Sequence, residues 1–179
     1  MIEIMNRRKV LLSPLLLVST SAVNVLADLP KVQTLDEAMR WLDKLEKSQT
    51  ASATGQWPLV AVLEHLAQSI EMSMDGFPEP KSAFFQNTAG AAAFAYFSWR
   101  GKMTHSLSEP IPGAPALSKQ GAWLPAVARL RAAITRFNGS KAEALRPHFA
   151  YGKLGKSEFA QAHAFHIANH QDEIVVSAS

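Results

Sequence analysis

Apolar residues recur along this chain at helical spacing, and nowhere do they alternate with period two for long enough to suggest a strand. Thr34-Leu35-Asp36-Glu37 reads as a capping box, with a glutamate three residues after a threonine. The helix it opens carries Leu35, Met39, Leu42 and Leu45 on one face and is expected to end near Ser48. Residues 49–56 are polar and contain glycine, which reads as a linker. Pro58 suits a first helical turn. The next helix should run to about Asp75, with Leu59, Val62, Leu63, Leu66, Ile70 and Met74 as its apolar stripe and Gly76 and Pro78 as its stop.

A third helix is expected over Ser82 to about Lys102. Phe85, Ala92, Phe94, Ala95 and Phe97 are its core candidates, and Gly90 and Gly101 weaken it. Residues 106–121 hold Pro110, Pro112, Pro115 and two glycines, and read as a long ordered loop of the kind that often serves as a lid. Helical spacing resumes over Ala122 to Phe137 through Leu124, Val127, Leu130, Ala133, Ile134 and Phe137, and Asn138-Gly139 ends it. A short turn at Ala142–Leu145 and a loop over Pro147 to Gly155 follow. Ser157 is the expected cap of a last helix reaching about Val175. Long amphipathic helices joined by loops predict an all-α fold, a four-helix bundle with an accessory helix and a Pro-rich loop.

The first 27 residues have a different pattern. Arg7-Arg8-Lys9 precede an apolar stretch from Leu11 to Leu26, and Val25-Leu26-Ala27 offers a cleavage site before Asp28. Residues 1–27 therefore read as a signal peptide and 28–179 as a single domain. Asn6-Arg7-Arg8-Lys9-Val10-Leu11-Leu12 resembles a twin-arginine export signal, which makes the twin-arginine translocase the expected export partner and a periplasmic or otherwise exported location the expected destination. The apolar run is short and interrupted by polar residues, so no stable membrane anchor is expected.

Composition narrows the chemistry. The 179 residues are 47% hydrophobic, enough for a real core, and include no cysteine. Disulfides, thiolate metal sites and a cysteine nucleophile are excluded. Removing Arg7, Arg8, Lys9 and Glu3 from the 18 basic and 15 acidic residues leaves 15 basic and 14 acidic, a net charge of +1. Such a balance does not support nucleic-acid binding.

Histidine carries the candidate chemistry. Phe159, His163, His166, His170 and Ile174 fall on one face of the last helix, and a core-facing histidine must be hydrogen-bonded or metal-bound to offset its desolvation. His166 and His170 project from adjacent turns, about 6 Å apart along the axis, and can share one metal. His163 and His166, three apart, can also chelate. His163 and His170, about 10.5 Å apart along the axis, are too far separated to share an ion. Spacing makes His166 the common member and leaves its partner open. A third ligand must come from another helix, and His65 is the only histidine inside one. His105 and His148 lie beside loops and read as solvated or structural. Asp172 and Glu173 read as the polar end of the helix, and Glu64 and Glu71 as a solvated face beside His65.

The segment Trp57-Pro58-Leu59-Val60-Ala61-Val62-Leu63-Glu64-His65-Leu66-Ala67-Gln68-Ser69-Ile70-Glu71 resembles the first metal-bearing helix of the DinB/YfiT-like superfamily. Phe149-Ala150-Tyr151-Gly152-Lys153-Leu154, Glu158 and His163-Ala164-Phe165-His166-Ile167-Ala168-Asn169-His170-Gln171 resemble the C-terminal signature of one branch, the domain of unknown function DUF 1569. The similarity spans roughly residues 35–175. It implies a four-helix bundle and the ligand set His65, His166 and His170, with His163 a neighbour. It implies as cofactor a divalent transition metal, whether zinc, nickel, manganese or iron, and also a homodimer. Where the superfamily often has Arg-Gly-Gln after the last ligand, this chain has Gln171-Asp172-Glu173.

Three neutral imidazoles would leave such an ion its full charge, able to activate a water or a thiol toward a small-molecule substrate. The functional expectation is thus an exported metal-dependent enzyme, a transferase or hydrolase, with its general acid or base unassigned. The alternative is a non-catalytic, stress-related binding module of the envelope, its metal structural or absent.

Overall fold

The computed structural model describes residues 30–177. The expected signal peptide and its twin-arginine motif lie outside the described residues. The chain is mostly helical: α1 Leu35–Glu46, α2 Leu59–Asp75, α3 Ala83–Phe85, α4 Ala91–Arg100, α5 Leu124–Gly139 and α6 Lys156–His170, with two short strands, β1 Thr50–Ala53 and β2 Ile174–Ser177. Among the described residues no helix is long and apolar enough to cross a membrane.

Helix α1 begins where the capping box places it. Thr34 Oγ1 accepts from the Glu37 amide at 3.2 Å, while Glu37 Oε2 accepts from Gln33 N at 2.6 Å, one residue further back than the motif implies. Its buried face is Leu35, Ala38, Trp41, Leu42 and Leu45. Helix α2 is buried nearly all round, from Leu59 to Met74, as expected of a central element. Leu63, Leu66 and Ile70 of α2 meet Leu42 and Leu45 of α1, Leu130, Ile134 and Phe137 of α5, and Phe159 and Ile167 of α6 in one core. Each such fully buried side chain contributes about 1.5–3 kcal/mol relative to exposure.

Three features depart from the sequence pattern. The 49–56 linker contains a strand: β1 pairs antiparallel with β2, Thr50 opposite Ser177 and Ala53 opposite Ile174. Consequently the last helix stops at His170 rather than Val175. A tight turn over Gln171–Glu173 redirects the chain into β2. That helix also starts one residue before Ser157, with Gly155 as its cap residue and Glu158 Oε2 accepting from the Gly155 amide at 2.7 Å.

The third expected helix is present as α3 and α4 joined by a wide π turn, Gln86–Gly90. The turn is tied down by its ends. Gln86 Nε2 donates to the carbonyls of His148 and Phe149, and a Cβ on Gly90 would collide with the Ala150 carbonyl oxygen. Of its core candidates only Phe94 is buried. Phe97 is half-buried, and Phe85, Ala92 and Ala95 are exposed, as are Phe84 and Trp99. An Ala/Phe-rich stretch has the composition of a core helix, but among the described residues only one side of this one is covered.

Candidate metal centre

Helices α2 and α6 lie side by side and bring His65, His166 and His170 together. One ring nitrogen from each lies within 4.8 Å of the other two. The ring centroids are 4.9 Å apart for His65 and His166, 5.2 Å for His65 and His170, and 5.1 Å for His166 and His170. The Nε2 atoms of His65 and His166 approach to 3.1 Å. Two imidazole nitrogens bound about 2.0–2.1 Å from a single ion stand about 2.9–3.4 Å apart at right-angled or tetrahedral geometry, so this spacing suits shared ligation.

The other nitrogen of two of these rings is anchored. His170 Nδ1 donates to Glu173 Oε1 at 2.6 Å, both side chains being buried. That bond places the lone pair on Nε2, which is itself buried and, among the described residues, without a hydrogen-bond partner. His166 Nδ1 lies 3.2 Å from Ser69 Oγ, one turn along α2 from His65. A buried imidazole nitrogen left unpartnered on a ring beside two others is a costly arrangement without something to bind. The donor set fits a divalent transition metal, and the three histidines could hold one.

Burial also keeps the His65 and His166 rings neutral, the form that ligates. It lowers His65 to about 3, helped by the neighbouring His170 and His105 rings. It holds His166 well below its ordinary value, with His65, His170 and His105 adding to the effect.

His163 stands apart from the triad. Its ring packs between Phe137 and Phe159, with centroids at 5.1 and 5.6 Å. The Ser73 hydroxyl donates to the Ile70 carbonyl at 2.6 Å, so Ser73 Oγ accepts from His163 Nε2 at 3.2 Å. His163 is therefore a neutral, hydrogen-bonded core residue, lowered to about 3 by burial. His148 is likewise structural. Its Nδ1 accepts from the amides of Ala150 and Tyr151 at 3.1 and 3.2 Å, and its ring stacks on Tyr151 at 4.3 Å.

Two residues that the sequence did not single out belong to the centre. Glu173 is buried against His170 rather than being a solvated helix end. It is held by its own carbonyl, which accepts from Thr54 N at 2.7 Å, and by Gly55, where a Cβ would collide with Glu173 Oε2. His105 is half-buried and lies close to the triad. Its ring centroid lies 4.8 Å from that of His166 and 5.5 Å from that of His170. No periodicity marks a histidine on a proline-rich loop, and Glu173 follows the point where helical spacing stops applying. Glu64, by contrast, does not face the ligands; it accepts from Ser118 N and Oγ, both at 2.8 Å. Glu71 is paired with Arg129.

A cavity of about 160 Å³ opens onto the centre. His65, His105 and His166 line it, together with Ser69, His148 and His163, and Met103, Ile111, Pro110, Pro112, Phe149 and Tyr151 make much of the rest. Glu109 is the one charged residue among those lining it.

The family model described as "Protein of unknown function (DUF1569)" matches residues 26–177. The chain belongs to this family. No curated protein and no solved structure matches it. All the residues of the centre lie inside the matched segment, so this DUF1569 member carries its histidines, Glu173 and the proline-rich loop within the family domain.

Proposed function

We propose that this protein is an exported metal-dependent enzyme of the DinB-like kind, in which a divalent transition metal on His65, His166 and His170 activates a nucleophile for attack on a small molecule. The observation that carries the reading is the unpartnered, buried Nε2 of His170 beside the Nε2 pair of His65 and His166. A bound ion supplies Lewis acidity and lowers the pKa of a coordinated water or thiol. The chain's own residues do the rest. Glu173 fixes the His170 tautomer, Ser69 orients His166, and Met103, Ile111 and Phe149 give the cavity apolar walls.

The lining favours a small neutral substrate. No lysine or arginine lines the cavity, so apart from the ion itself an anionic thiol cosubstrate would find no countercharge there. Water is thus the preferred nucleophile and hydrolysis the preferred reaction class. Export rests on the Arg7-Arg8-Lys9 leader and its apolar run.

The test is a parallel assay of the full chain loaded with zinc, nickel, manganese or iron, on neutral esters, amides and lactones, with and without a low-molecular-weight thiol. Metal-dependent turnover that His166→Ala abolishes supports the reading, and a thiol requirement moves it to the transferase branch. Turnover indifferent to His166→Ala contradicts it.

One observation favours a second reading. The 3.1 Å approach of His65 and His166 equally suits a hydrogen bond between neutral imidazoles. In that case the protein is a non-catalytic envelope module, and no substrate will turn over.

A further inference from the structure

Resting on the metal-centre reading, we infer that His105 is a fourth nitrogen ligand of the ion, and the exchangeable one. The His105 ring approaches the His166–His170 pair as closely as the His65 ring does: 4.8 and 5.5 Å against 4.9 and 5.2 Å. Its Nδ1 donates to the Ser106 carbonyl at 2.7 Å, which leaves the lone pair on Nε2. Pairing of one ring nitrogen with a backbone carbonyl is the usual support of a ligating histidine.

The difference lies in what carries each ring. His65, His166 and His170 stand on helices, whereas His105 stands on the segment between α4 and α5. Its nitrogen is not among those within 4.8 Å of one another, so the seating of the loop sets its reach. That seating is built from neighbours of the ligands themselves. Asn169, next to His170, donates to the His105 carbonyl at 3.3 Å. Gln68, one turn from His65, donates to the Pro115 carbonyl at 3.0 Å, and Glu64, adjacent to His65, holds Ser118. The same two helices therefore position three ligands directly and the fourth through the loop.

His105 also forms part of the cavity wall, so a ligand entering the cavity meets it before His170, which does not line the space. Four nitrogens would still leave room for water on an ion that takes five or six ligands.

X-ray absorption on the zinc-loaded full chain tests this, because imidazole scattering counts the histidine ligands without any substitution. Four imidazoles in the wild type and three in His105→Ala are expected, with zinc affinity in chelator competition reduced roughly 10–100-fold or more, as loss of even an outer-shell partner costs that much. Three imidazoles in the wild type would overturn the assignment of His105 while leaving the His65–His166–His170 centre intact. A wild-type chain that takes up no zinc would overturn both.

Discussion

Glu173 Oε1 lies 2.6 Å from His170 Nδ1, and neither side chain is reached by solvent to any useful extent. A buried carboxylate against a buried imidazole sets the ring's tautomer and orientation at once. Glu173→Ala is therefore expected to lower metal affinity by about 10–100-fold. Leaving His170 Nδ1 unpaired should also cost the metal-free fold about 1–3 kcal/mol. Glu173→Gln, which keeps an acceptor oxygen, should recover part of both losses. Chelator competition and denaturant unfolding on the two variants check this; equal affinity in wild type and Glu173→Ala would remove Glu173 from the centre.

Gly55 tests the same relationship from the other side. Space for a Cβ at this position is already filled by the Glu173 carboxylate. Gly55→Ala should push that carboxylate off His170, destabilise the chain by about 1–3 kcal/mol as overpacking does, and weaken metal binding. A double variant with Glu173→Ala should lose little more affinity than Glu173→Ala alone, because the group displaced is then absent.

Acid should destabilise the metal-free protein through its buried histidines, His65 and His166 of the triad and also His148 and His163 outside it. Burial lowers His65, His148 and His163 to about 3 from an ordinary value of 6.5, and His166 well below that value. Between these values the unfolded chain binds protons that the folded chain does not, so stability falls as pH falls. The contribution is fully present above 6.5 and is lost progressively toward 3. Denaturant midpoints measured on the metal-free protein from pH 7 downward should fall through this window. His163→Phe, if it packs between Phe137 and Phe159, should flatten the slope; an unchanged slope would mean His163 is not held neutral.

Much of the helical frame was legible because its causes are local. The Thr34 cap and most of the stripes of α1 and α5 are each written in one stretch of chain and are found where expected; the exceptions are Met39, which is only half-buried, and Leu124, which is exposed. The strands were not legible. Each has four residues, too few for a period of two to show, and β1 has the composition of a linker. Ile174 continued the face of α6 in register, so nothing in spacing revealed the turn after His170. The exposure of α4 was hidden for the opposite reason, since apolar composition says nothing of whether a partner covers it.

The centre divides the same way. Spacing brought forward His166 and left His163 or His170 as its mate; the choice depended on where α2 runs, because Ser73 takes His163 and His65 faces His166. His105 reaches the centre through a tertiary contact of a loop, of which the sequence pattern carries no trace, whereas Glu173 reaches it locally, three residues beyond His170 across the turn that ends α6.

The most direct measurement is elemental analysis of the full chain purified without chelator or affinity-tag nickel, beside a His166→Ala/His170→Ala variant. Close to one transition metal per chain in the wild type, and none in the variant, is the expected result. No metal in either, with folding unchanged on adding zinc or manganese, would contradict the metal centre and leave the histidines as packing residues.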